Sequence, residues 1–202
     1  DGTIDNILKA EIYSAKQLLN FLNPSTTKVS IIDFSSSAVL VQSLTNDFEL
    51  ANQKLDQILA SGPGGGTNFQ SAMAVATNEL VGPRARYQAT PVQLFMSDGS
   101  ASIPTSEITR AAEAGIIVNS FAVGSGANIS ALEAISEGTG GVATAIPDAS
   151  LIVEILPRTI LFGIDALISI ADASDDITVK EVLIKLESSN GEFSGEHVDY
   201  IA

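Results

Sequence analysis

Two stretches of this chain constrain its fold more than any others. Residues 91–96 and 116–123 are mostly apolar runs of strand length, with Gln93 in the first and Asn119-Ser120 in the second, and a helical segment lies between them. A strand that is apolar on both faces must be buried on both, which is the situation of a parallel strand covered by helices. The rest of the chain keeps the same alternation. Ile4, Ile7, Leu8, Ile12, Ala15, Leu18, Leu19 and Leu22 recur at spacings of three and four, which predicts an amphipathic helix ended by Asn23-Pro24-Ser25. Residues 28–33 and 38–44 read as strands joined by Ser35-Ser36-Ser37. That connection is too short for a crossover, so an antiparallel hairpin is predicted. Helices are predicted over 46–59, 68–80, 105–114, 130–136 with a serine as its cap, and 150–156, where Pro157 interrupts or ends the last one. A short final strand covers 142–145. The whole pattern is that of an α/β fold, a doubly wound, mostly parallel, Rossmann-like sheet with helices on both faces.

The tail follows another rule. Residues 178–187 alternate, Ser189-Asn190-Gly191 is a hairpin turn signal, and 193–201 supply a return strand. The expected organisation is an α/β domain over 1–160 and a C-terminal β extension over 161–202, either a hairpin or the start of a β-rich module.

Charge and composition narrow the function. The 202 residues carry 24 acids and 10 bases, a net charge of -14, which repels phosphate backbones and favours cations and basic partners. Cysteine is absent, which excludes disulfides, thiolate zinc sites and cysteine nucleophiles. His197 is the only histidine, and it lies in a polar stretch expected at the surface, far in sequence from any candidate nucleophile. No base–nucleophile pair stands out, so the chain is not expected to be an enzyme. The longest apolar stretch, 151–171, contains Glu154, Pro157, Arg158 and Asp165, which argues against a spanning helix and membrane insertion. The chain opens Asp1-Gly2-Thr3 with neither a methionine nor a basic leader, as a fragment or a processed chain would.

In doubly wound sheets, ligands bind outside the carboxyl ends of the strands. That singles out the loops at 34–37, 62–67 and 97–102. The glycine-rich run before Thr67 is not a phosphate loop, because no lysine follows Gly66. Gly124-Ser125-Gly126 lacks dinucleotide spacing. Thr67 could cap a helix beginning at Asn68, and Asp98 could serve its own turn.

Taken in order, these motifs resemble a von Willebrand factor A domain. Lys28 through Ala38, with Asp33-Phe34-Ser35-Ser36-Ser37 at its centre, is similar to the family's second strand and following turn. Gly65-Gly66-Thr67-Asn68-Phe69 resembles its Gly-Gly-Thr loop, and Leu94-Phe95-Met96-Ser97-Asp98-Gly99 the strand ending in Ser-Asp-Gly. Ala114-Gly115-Ile116 through Val123-Gly124 resembles the fifth strand, and Leu132-Glu133-Ala134-Ile135-Ser136 with Thr139-Gly140-Gly141 the last helix–strand unit. The likeness covers about residues 4–156, and secreted bacterial adhesin-type members are the most similar in composition.

The resemblance implies a metal-ion-dependent adhesion site. A hard divalent cation, Mg²⁺ or Ca²⁺ with Mn²⁺ as a third candidate, would take oxygens from three loops and leave one position for an acidic group of a partner. Carried over, Thr67 is the hydroxyl ligand and Asp98 the carboxylate, direct or through water. The implied role is a binding module of a secreted or cell-surface bacterial protein, with a protein or glycan ligand on a surface. The alternative is a metal-free spacer or assembly domain of a surface fibre.

The chain departs from the family at one point. The usual N-terminal strand with its Asp-x-Ser-x-Ser loop should precede the first helix, and here it is lacking. Three explanations stand: the strand lies upstream, it is permuted, or a neighbouring domain or chain donates it by strand complementation. The permuted reading rests on residues 165–176, where an apolar run is followed by Asp172, Ser174 and Asp176.

Overall fold

A computed structural model describes residues 4–161 and two short strands, Val182–Leu183 and His197–Val198. The chain divides into two compact units, Asp1–Arg158 and Thr159–Ala202. In the second unit the two short strands pair antiparallel, with Val182 opposite Val198 and Leu183 opposite His197. That is the pairing of the hairpin predicted from alternation. Asp172, Ser174 and Asp176 lie outside the described residues.

The first unit begins with α1 (Ile4–Phe21), the hairpin β1 (Val29–Phe34) and β2 (Ala38–Thr45), and helices α2 (Phe48–Ser61) and α3 (Phe69–Leu80). The alternating part follows: β3 (Val92–Ser97), α4 (Thr105–Glu113), β4 (Ile117–Val123), α5 (Ile129–Thr139), β5 (Ala143–Ile146), a 3₁₀ turn (Ala149–Leu151) and α6 (Ile152–Leu161). β3, β4 and β5 form a parallel sheet in that order, with Val92 opposite Ile117 and Ser120 opposite Ala143. β4, with a strand on each side, is buried from Val118 to Val123, as its predominantly apolar run predicts.

β1 and β2 form a separate antiparallel pair. Among the described residues no ladder joins β1 to β3, so the antiparallel pair and the parallel sheet are not hydrogen-bonded to each other. Helices hold the halves together instead. On one face the rings of Phe34 (β1), Phe69 (α3) and Phe95 (β3) form a triad, with centroids 5.1 Å apart for Phe34–Phe95 and 5.3 Å for Phe69–Phe95. Around it pack Ala72, Met73, Ile116, Val118, Leu132 and Ile135. On the other face α1 uses two stripes. Leu8, Ile12, Ala15 and Leu19 pack with Val29 and Ile31 of β1 and with Leu55 and Ile58 of α2. A neighbouring stripe brings Ser14 Oγ within 4.0 Å of Met96 Sδ in β3.

The helix ends correct three sequence expectations. α5 is capped by Asn128, whose Oδ1 accepts from Ala131 N at 3.2 Å, and not by a serine at 130. α3 is capped by Asn68, whose Oδ1 accepts from Ser71 N at 2.9 Å, so the helix starts at Phe69 and Thr67 is not the cap. Asn outranks Thr at this position, and its longer side chain reaches the N3 amide. Pro157 neither interrupts nor ends α6, which runs on to Leu161. The proline leaves the Val153 carbonyl without its helical donor, but Ile152, Leu156 and Pro157 are buried, and that burial outweighs one lost hydrogen bond.

Candidate metal centre

Four loops meet at the carboxyl end of the strands, and short polar side chains stitch them together. After β1, Ser35 N donates to Ser37 O at 2.9 Å. Ser36 Oγ then donates to Gly65 O at 2.8 Å, and Asn68 Nδ2 donates to Ser36 O at 3.1 Å. Ala38 N donates to Ser71 Oγ at 3.0 Å. The serine turn and the glycine-rich loop are thereby one structure. Gly66 has φ +82°, and a Cβ there would overlap Ser36 Oγ, so only glycine lets the chain turn at this point.

The loop after β3 joins from the other side. Ser97 Oγ accepts from Gly99 N at 3.2 Å. Gly99 O accepts from Asn128 N at 3.1 Å, and Asn128 Nδ2 reaches Ser100 Oγ and Ala101 O at 3.5 and 3.4 Å. Thr67 lies directly on this loop: a Cβ on Gly99 would overlap Thr67 Oγ1 and stand 3.2 Å from Thr67 Cγ2. The Thr67 hydroxyl therefore sits against the residue that follows Asp98.

Neither Thr67 Oγ1 nor the Asp98 carboxylate has a hydrogen-bond or ion-pair partner among the described residues. Asp98 is exposed and Thr67 half-buried. An aspartate in a turn ordinarily accepts from the amides just after it. Here Ser97 does that work at Gly99 N, which leaves the Asp98 carboxylate free to bind elsewhere. A hydroxyl and a carboxylate are hard oxygen donors, suited to Mg²⁺ or Ca²⁺. They are also only two donors, where such ions take about six. Among the described residues no group of three or more His, Cys, Asp or Glu could hold a metal ion.

Sequence reasoning missed one residue near the site. Glu11 occupies the α1 stripe shared with Ile7, Ser14 and Leu18, and its Oε1 is buried with no partner among the described residues. Burial, and secondarily the negative charge of Asp98, push its carboxyl up to about 8. The signal available was an acid at an apolar position of the three–four repeat. Nothing in the sequence ties that acid to Asp98, 87 positions away.

The von Willebrand factor type A domain model matches residues 6–158. The chain belongs to this family. Its structure is similar to BatB from Bacteroides thetaiotaomicron (TM-score 0.64, 18% identity, covering 75% of this chain and 85% of that one). It is similar also to a von Willebrand factor type A structure from Catenulispora acidiphila (TM-score 0.63, 14% identity, 75% and 37%). A third likeness is to proximal thread matrix protein 1 of the mussel byssus, whose MIDAS motif is occupied by zinc in that structure (TM-score 0.62, 20% identity, 74% and 39%). At these identities the likeness is one of fold. No curated protein matches the chain. Domains of the von Willebrand A family are typically interaction modules, common in extracellular proteins, and often bind a divalent metal. Among the described residues no helix is long and apolar enough to cross a membrane.

Proposed function

We propose that this von Willebrand A domain is a metal-ion-dependent binding module of a secreted or cell-surface bacterial protein. Thr67 and Asp98 hold part of the coordination shell of Mg²⁺ or Ca²⁺, and the ion bridges to an acidic group on a protein or glycan partner. The observation that carries this reading is the placement of an unengaged hydroxyl against the residue next to an unengaged carboxylate, at the rim where four loops meet. The net charge of -14 favours a cation there and repels an acidic partner in its absence. The ion therefore supplies attraction that the surface lacks.

Titration calorimetry with Mg²⁺, Ca²⁺ and Mn²⁺ tests the site. Saturable binding is expected, weakened at least about tenfold by Asp98→Ala and by Thr67→Ala, a loss of about 1.4 kcal/mol or more. Binding of the same strength in both variants defeats the assignment. A metal-free spacer is the second reading, and the small number of donors among the described residues supports it. That reading predicts no heat and no shift in melting temperature with any of the three ions.

A further inference from the structure

The candidate metal centre uses the carboxyl end of the strands. At the amino end of β1 and β3, two loops of the first unit build a second feature. In the loop from α1 into β1, Thr26 N and Thr27 N both donate to Asn23 O, at 3.0 and 2.9 Å. In the loop from α3 into β3, Ala85 N donates to Gly82 O and Ala89 N to Arg86 O, at 3.0 and 3.1 Å. Long side chains join the two loops: Lys28 Nζ donates to Arg84 O at 3.0 Å, and Arg86 Nη2 donates to Thr26 O. Thr26, Arg86, Tyr87, Gln88 and Ala89 line a groove of about 510 Å³ there.

Charge decides what such a groove can hold. Arg84 is spent on the buried Glu79 carboxylate. Lys28 and Arg86 meet only backbone carbonyls, and neither has a carboxylate partner among the described residues. A guanidinium presents five N–H donors in a fork that matches a carboxylate, and Arg86 uses few of its own. Beside it Tyr87 is fully exposed, and Phe21, Val81 and Val92 are exposed at the same end of the unit. Arginine and tyrosine side by side are the residue types that most often anchor a protein interface.

We propose that this groove binds a short acidic segment of a partner protein, with a carboxylate on Arg86 and an apolar or aromatic side chain against Tyr87, without help from a metal ion. A second copy of this chain does not fit the role, because two bodies of net charge -14 repel each other. Salt confines that repulsion to roughly 8 Å at physiological ionic strength. A short segment lying in the groove therefore feels mainly Lys28 and Arg86, the nearest uncompensated charges.

The test is a titration of the full, ¹⁵N-labelled chain in EDTA with the capped peptide Glu-Glu-Phe-Glu-Glu, followed by amide shifts. Saturable shifts over 24–28 and 84–90 are expected. Arg86→Gln should weaken binding by about fivefold or more and Tyr87→Ala by about threefold. Lys54→Gln, which removes the same charge from α2, should leave it unchanged. Arg86 and Tyr87 are exposed, so neither substitution should move the melting temperature. Three results overturn the proposal. One is the absence of shifts in these two loops, including the case where shifts centre on Thr67 and Asp98. Another is equal binding of Gln-Gln-Phe-Gln-Gln, which removes the role of charge. The third is equal weakening by Lys54→Gln and Arg86→Gln, which reduces the effect to net charge. Because EDTA is present throughout, failure of the metal centre leaves this outcome untouched.

Discussion

Gly99 decides where the Thr67 hydroxyl stands. A methyl group at position 99 must displace Thr67 Oγ1, because the two would overlap. Gly99→Ala is therefore expected to weaken divalent-ion binding by about tenfold or more while costing no more than about 1–2 kcal/mol of stability. Calorimetry and thermal melting of the same variant separate the two effects. Glu11 gives a second residue-scale prediction. Its carboxyl is pushed up to about 8, so between the ordinary carboxylate range and that value the folded chain holds a proton that the unfolded chain has released. Stability then falls as pH rises across this window, by an amount on the order of 5 kcal/mol. Glu11→Gln removes the titrating group and should flatten that part of the stability–pH curve. A curve with the same slope in both proteins contradicts the assignment.

At the scale of elements, Glu79 is the tie that anchors α3 to its surroundings. Its side chain is 3% exposed, accepts from Leu44 N of β2 at 2.7 Å, and takes both Arg84 Nε and Nη2, at 2.9 and 2.6 Å. The Arg84 hydrogen bonds chiefly, with the Leu44 amide adding to them, hold the Glu79 carboxyl below its usual range despite burial. Its contribution is complete above the unfolded-state carboxylate value and is lost as pH falls through the lowered one. Glu79→Ala leaves the Leu44 amide unpaired and should cost about 2–3 kcal/mol near neutral pH, with a smaller difference from the parent chain in acid. Urea melts at neutral and acid pH test both parts. The element boundaries show where local reading stopped. Asn68 and Asn128 each lie one or two positions from a plausible Thr or Ser cap, and Pro157 by itself predicts an interruption or an end. In all three cases the outcome turned on partners or burial outside the local window.

For the first unit as a whole, the ring triad of Phe34, Phe69 and Phe95 couples the antiparallel pair to the parallel sheet, since no backbone ladder joins them among the described residues. Phe34→Ala removes β1's share of that triad. A loss of about 2–4 kcal/mol is expected, together with faster amide exchange in β1 and β2 than in β4. Uniform acceleration across all three strands would show that the two sheets do not open separately. Coupling through side chains also explains the unequal burial of the strands. β4 has a strand on both edges, while among the described residues β1 and β3 are each paired on one edge only and carry half-exposed apolar side chains.

Periodicity and apolar run length were enough to read the elements, the hairpin at 29–45, the parallel strands and the loops that carry Thr67 and Asp98. Each of these depends on which face of a short segment is buried, and a segment's own residues record that. They could not tell that Ser97 would occupy the Gly99 amide and leave Asp98 free. Nor could they tell that Glu11 would lie within the influence of Asp98. Those outcomes belong to contacts between residues far apart in the chain, and only packing the helices onto the strands brings such residues within a few ångströms of one another.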